Sequence, residues 1–237
     1  MLSLSIVSHG QSALIKPLLE DLRRLALPDI EVLITVNIPE DEGPFQELPF
    51  TSRIIRNASP KGFGANHNAA FEQSKSQFFI VVNPDIRLPS LNVEKLLEPM
   101  RDLTVGAVAP VVLNSAGGIE DSVRRFPTIA RLARRVLLKQ RFPDYEWKTQ
   151  PIDIDWSAGM FVVFRRESYQ EVRGFDHQRF FMYMEDVDIC RRLKETGYRI
   201  VLQPAVCVIH DAQRASGRSI RHMRWHLTSA LRYLTGL

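Results

Sequence analysis

Cysteine is scarce in this chain. Its 237 residues hold two, Cys190 and Cys207, with no paired spacing and no ligand cluster around them. That excludes a disulfide-stapled scaffold and a thiolate zinc site, and it suits a reduced cytoplasmic setting. Long apolar runs are missing too. Nothing approaches the roughly 20 residues of a membrane span, and the opening Met1-Leu2-Ser3-Leu4-Ser5 carries no basic stretch of the kind that starts a signal peptide. Net charge is small: 31 Lys and Arg against 27 Asp and Glu leave +4, too mild a bias to point to nucleic acid. Gly62 and Gly64 complete neither a P-loop nor a dinucleotide fingerprint. Residues 8–12, after the first apolar run, lack the Gly-rich, Lys- or Arg-bearing loop of a nucleotidyltransferase.

What is present is a core-forming chain with its positive charge in two places. At 45% hydrophobic residues, the length suits one large domain. Residues 124–141 and 214–232 are rich in Arg and nearly free of acid. In the first segment Ile129, Leu132, Ala133, Val136 and Leu137 recur among Arg131, Arg134, Arg135, Lys139 and Arg141, which predicts a basic amphipathic helix over 128–142. Two readings stand for it: a surface helix with one face on the core, or a peripheral contact at the inner face of a membrane, where basic side chains meet anionic headgroups. The last helix, with Trp225, Leu227, Leu231 and Leu234, offers a second membrane or oligomer contact.

The first half alternates strand and helix. Leu2–Ser8 is a short apolar run, Ser12–Leu25 repeats leucine at helical intervals, and 31–37 and 53–56 read as strands. Residues 38–49, with three prolines and four acids, make a loop. Residues 61–68 open an Ala-rich helix to about Ser74, and 77–82, 105–113 and 156–164 are further strands. The alternation predicts an α/β fold, a mainly parallel mixed sheet flanked by helices. Ligands in such sheets bind beyond the carboxyl ends of the strands, here Ser8-His9, Asn37 and Asn83-Pro84-Asp85.

Each candidate site has a plain reading beside a chemical one. Gly62 and Gly64 shape a tight turn or let a phosphate approach. Asn83-Pro84-Asp85 is a simple turn, or Asp85 offers oxygen ligands to Mg²⁺ or Mn²⁺, which would neutralise a diphosphate. Gly159, within Ser157-Ala158-Gly159, brings backbone close to a ligand. Arg218 folds over a diphosphate or solvates a helix. Glu185, Asp186 and Asp188 follow an aromatic run: Asp186 or Asp188 caps a helix over 187–196, or one carboxylate there is a general base.

Taken together, Arg56-Asn57 with Gly62-Phe63-Gly64 and Asn68, the run Phe78 to Asp85, Ser157 to Phe161, Gly174-Phe175-Asp176, Phe181 to Asp188, Gly197-Tyr198 and Val208-Ile209-His210 resemble the family 2 glycosyltransferases. The likeness spans roughly residues 4–216 and is greatest to bacterial rhamnosyltransferase-type members that build surface polysaccharides. It implies a single GT-A domain over 1–213, with a nucleotide-sugar half at 1–103, an acceptor half at 104–213, and a basic helical tail at 214–237. It implies metal-dependent inverting transfer to a hydroxyl of a saccharide or lipid-linked saccharide. Asp85 and His210 would hold the metal and Asp186 would be the base. Ser8, His9, Asn37, Gly62, Asn68, Asn83 and Arg218 would meet the nucleotide-sugar donor, dTDP-rhamnose first and a UDP-sugar next, and Gly159 and Glu185 would meet the acceptor. Family members usually carry an acidic pair after the second strand. Here the chain reads Thr35-Val36-Asn37, with Asn37 or Glu40 as substitutes. That departure favours the alternative of a non-catalytic scaffold in a polysaccharide assembly complex; Glu185, Asp186 and His210 speak against it.

Overall fold

The computed structural model describes residues 1–128, 130–131, 143–211 and 220–236. At its centre is β4 (Phe78–Val82), whose Phe79 and Val81 face one layer of core while Ile80 and Val82 face the other. A strand buried on both sides calls for helices on both sides. β1 (Leu2–Ser8), β2 (Ile30–Val36) and β3 (Thr51–Arg56) lie beside it, all parallel, in the order β3-β2-β1-β4. β3 is the outermost of these and leaves all six of its residues exposed fully or in part, as an edge strand does.

Beyond β4 the sheet becomes mixed. β10 (Phe161–Arg165) runs antiparallel to β4 and to β6 (Val105–Asn114), and β11 (Arg199–His210) runs parallel to β6. β5 (Ile86–Arg87) and β8 (Ile152–Ile154) pair antiparallel with β11, while β7 (Val123–Arg124) and β9 (Trp156–Ser157) form a separate two-stranded sheet. On one face, α1 (Ser12–Leu25) sets Ile15, Leu18 and Leu22 against Leu4, Ile6, Val32 and Ile34, the spacing of one helix stripe. The other face carries an aromatic cluster in which the Phe79 and Tyr169 rings lie 5.3 Å apart and those of Phe164 and Phe175 lie 6.0 Å apart. α2 (Phe63–Gln73) and the helix Glu185–Glu195 add Ala70, Val187, Cys190 and Leu193 to that face.

Three expectations change. The strand expected over 156–164 is broken at 158–160, because the Ala158 N–H donates to the Ser122 carbonyl at 2.7 Å instead of to a ladder partner. The helix expected over 187–196 starts at Glu185, and its N-cap is Met184, in a left-handed conformation with no side-chain cap. Neither Asp186 nor Asp188 therefore caps it. Most of the expected basic helix, at 129 and 132–142, lies outside the described residues, as does 212–219 with Arg214 and Arg218. The C-terminal helix Ile220–Thr235 buries Ser229 and Tyr233 while Leu227 and Leu231 stay 59% and 62% exposed. No helix among the described residues is long and apolar enough to cross a membrane.

Candidate active site

Two acidic centres stand off one end of the central sheet. The first forms where β4 ends. Asn83-Pro84-Asp85 turns the chain into β5, whose register places His210 opposite Ile86 and so beside Asp85. His210 Nε2 lies 3.2 Å from Asp85 Oδ2, and Nδ1 lies 2.9 Å from Glu120 Oε2. Burial by itself would lower the pKa of this imidazole, but the hydrogen bonds and charges of the two carboxylates outweigh it and push the pKa up to about 9. Asp21 fixes the chain just beyond, accepting from Arg87 Nε at 2.8 Å and from the Leu88 N–H at 2.9 Å.

The other oxygen of Asp85, Oδ1, is buried with no hydrogen-bond partner. A buried carboxylate oxygen left unsatisfied is unfavourable, and a cation relieves it. The donor chemistry therefore fits a divalent ion. Among the described residues no group of three or more His, Cys, Asp or Glu side chains is arranged as a complete metal site, so the remaining positions fall to substrate oxygens and water.

The second centre is Asp186. Its Oδ1 accepts the Val187 N–H at 2.9 Å and its Oδ2 the Gly159 N–H at 3.3 Å, leaving each oxygen a lone pair. Gly159 is needed there: a Cβ would meet the Phe63 ring at 2.9 Å. The two centres share this segment, since the Asn83 N–H donates to the Met160 carbonyl at 2.8 Å. Glu185 is only 6% exposed and its Oε2 has no partner. Burial first, then the charge of Asp186, push the Glu185 carboxyl well above the usual range. Burial also raises Asp186, but the backbone N–H groups of Val187 and Gly159 and the charge of Arg124 pull against it. Of the two, Glu185 therefore holds a proton the more tightly, while the N–H groups around Asp186 favour its charged form. Asp188 is engaged elsewhere, paired with Arg192 at 2.7 Å.

The donor-side candidates are of two kinds. Asn37 is buried and fully engaged: its Nδ2 donates to the Lys61 carbonyl at 3.0 Å and meets His9 Nδ1 at 2.9 Å, while its Oδ1 accepts from the Lys61 N–H and Asn57 Nδ2, both at 2.8 Å. Asn68 is engaged likewise, by Tyr169 Oη at 2.7 Å and both backbone groups of Phe175. Both asparagine side chains have their hydrogen-bonding groups taken up within the protein. Ser8 is buried, with its Oγ accepting the Gln11 N–H at 3.3 Å, and Gly62 lets α2 approach the Phe181 carbonyl, which a Cβ would overlap. The His9 ring is open to solvent, and the Asn83 side chain has no hydrogen-bond partner among the described residues. Glu40 holds the Ser12 N–H at 2.7 Å with Oε2 and leaves Oε1 buried and unpartnered.

Glu120 escaped the sequence reading. Its signal was an acid two residues after Gly117-Gly118, where the turn folds the chain back along β6 and sets the Glu120 N–H on the Val112 carbonyl at 2.8 Å.

The family model for "Glycosyltransferase like family 2" matches residues 2–228. The chain belongs to glycosyltransferase family 2. This family 2 chain is 31% identical over 252 residues to rhamnosyltransferase WbbL of Escherichia coli K12, covering 99% of the chain and 92% of that relative. It is also 31% identical over 166 residues to the N-acetylglucosaminyl-diphospho-decaprenol L-rhamnosyltransferase of Mycobacterium tuberculosis, covering 65% of the chain and 54% of the relative. Among solved structures, the mannosyltransferase PcManGT of Pyrobaculum calidifontis, in complex with GDP-Man and Mn²⁺, superposes with a TM-score of 0.63 at 17% identity over 98% of the chain and 64% of its own. The glycosyltransferase thus has the GT-A fold and the family that its motifs implied.

Proposed function

We propose that this family 2 glycosyltransferase transfers L-rhamnose from dTDP-rhamnose to a hydroxyl of a lipid-linked saccharide, with inversion at the sugar carbon. Both relatives are rhamnosyltransferases, which supports the sugar, and the lipid-linked acceptor of the mycobacterial one supports the acceptor. The observation that carries the chemistry is the pair of carboxylates joined through the Gly159–Met160 segment, Asp186 with open lone pairs and Asp85 with an unpartnered buried oxygen. Asp186 takes the proton of the acceptor hydroxyl as that oxygen bonds to C1, and the bond from C1 to the diphosphate oxygen breaks in the same displacement. One carboxylate suffices, because no covalent intermediate forms. Glu185, whose carboxyl burial and the charge of Asp186 push upward, would limit the negative charge facing the approach of electron-rich oxygen.

Asp85 and His210 would hold Mn²⁺ or Mg²⁺, the mixed oxygen and nitrogen set suiting Mn²⁺. When bound, that ion supplies charge neutralisation for the departing diphosphate. Glu120, on the far ring nitrogen, fixes the orientation of His210. On the donor side Glu40, with its open oxygen, takes the part of the missing acidic residue after β2. Leu227 and Leu231, exposed one turn apart near Arg224, suit a peripheral membrane contact that would reach a lipid-linked acceptor.

The test is mass spectrometry of the product formed from a mixed pool of nucleotide sugars, with an N-acetylglucosaminyl-diphospho-lipid as acceptor, alongside thermal shifts with and without Mn²⁺. Incorporation of a deoxyhexose is expected. Asp85→Ala should weaken both turnover and the Mn²⁺-dependent shift. Transfer of a different sugar would overturn the donor assignment, and equal activity in excess chelator would overturn the metal assignment.

A further inference from the structure

The segment that delivers Asp186 to its place is held in an unfavourable backbone shape. Tyr183 and Met184 are successive non-glycine residues at φ 69° and 67°, and the helix Glu185–Glu195 starts immediately after them. Such conformations persist only where surrounding contacts over-determine them. One side is set by α2, whose Phe63 N–H donates to the Phe181 carbonyl at 3.2 Å. The other side is set by the C-terminal helix. Ser229 Oγ donates to the Met182 carbonyl at 2.8 Å. The guanidinium groups of Arg179 and Arg232 each donate to the other residue's carbonyl, at 2.7 and 2.8 Å. Two ring contacts flank these bonds, Phe181 with Trp225 at 5.2 Å and Tyr183 with His226 at 5.0 Å.

We infer that the C-terminal helix Ile220–Thr235 is a positioning clamp for the general base: it locks the left-handed Tyr183-Met184 step and thereby aims Asp186. The inference rests on the reading of Asp186 as the base. Ser229 is its keystone, a buried hydroxyl whose hydrogen bond ends one residue before the left-handed pair. The helix does seat Tyr233 and Leu234 on the core, but a helix attached only for stability would not also gather five contacts on residues 179–183. The carbonyl of Met184 also accepts the Asp188 N–H at 2.9 Å, so movement at this step passes directly into the first turn that carries Asp186.

The experiment uses the full chain with dTDP-rhamnose and the N-acetylglucosaminyl-diphospho-lipid acceptor. Ser229→Ala should lower kcat about 10- to 100-fold, the effect of a sub-ångström to ångström misplacement of a reacting group, with the donor Kd unchanged. Ser229→Thr, which keeps the hydroxyl, should restore most of it. Amide exchange at residues 182–188 should rise in Ser229→Ala while that of β1 and β4 stays as it was. In an Asp186→Asn background Ser229→Ala should cost nothing further, since the clamp acts through that carboxylate. Full kcat in Ser229→Ala with Asp186→Asn inactive would overturn the clamp and leave the base reading intact. Near-normal turnover in Asp186→Asn would overturn the base reading itself. A parallel fall in melting temperature, donor affinity and kcat would show that the helix merely supports the fold, and would also overturn the clamp.

Discussion

The two ends of the binding face are built on opposite terms. At Asn37 every side-chain donor and acceptor is matched: Lys61, Asn57 and His9, with Asn66 beyond Asn57, close a network in which the Asn37 side chain has no group to spare. Around Asp85 and Asp186 the matching stops. Asp85 Oδ1 and Glu185 Oε2 are buried without partners, and two carboxyl groups stand side by side with their pKa values raised. A saturated network rigidifies, whereas unmatched buried oxygens mark where a ligand completes the structure. The comparison teaches that polar residues at strand ends divide into framework and chemistry by what they already hold, not by residue type.

The largest expected break in that contrast is Asp186→Asn. Loss of a general base lowers transfer by about 10²–10⁴-fold, while the donor Kd, measured by calorimetry, should stay near its original value. Next comes Glu120→Gln, which leaves both direct candidate ligands in place but loosens His210; Mn²⁺ affinity, followed by titration calorimetry, should drop about 10- to 100-fold. On the framework side, Asn37→Ala strands the Lys61 backbone and Asn57. It should cost about 1–3 kcal/mol in denaturant unfolding, with kcat of the folded fraction little changed. A kcat effect as large as that of Asp186→Asn would erase the distinction between the two ends.

The smallest effect is a pH slope. The Glu185 carboxyl sits above its unfolded value of 4.5, so the folded state binds that proton more tightly. Its contribution to stability is full below about pH 4.5 and is lost as pH rises through the raised folded value. Glu185→Gln stays neutral throughout, so its melting temperature should fall less than that of the wild type between pH 5 and 9. An identical slope in both proteins would mean that Glu185 is ionised already.

Much of this was legible in the chain itself. The leucine stripe of α1 and the apolar runs Leu2–Ser8 and Phe78–Val82 are local patterns with one good burial solution, and Ser12–Leu25 folds over the residues its periodicity indicates. The motif residues Asn83-Pro84-Asp85, Glu185-Asp186 and His210 also announced a chemistry by their types and order. Other features were not readable, because they depend on chain segments meeting. Asn37 and Asn68 look like ligand-binding residues in a linear motif, and only their hydrogen bonds to residues up to 107 positions away show them to be occupied.

Sequence alone determined the alternation of elements, which follows from periodicity, and the family, which its motifs resemble. Tertiary structure alone decided which acid is pushed toward holding its proton and which oxygens are open. It set Glu120 on His210 across 90 positions of chain, broke the strand at 158–160 to hang Asp186 from Gly159, and brought the C-terminal helix onto Tyr183-Met184. Protonation and hydrogen-bond satisfaction depend on burial and distance, and neither exists until the chain has folded.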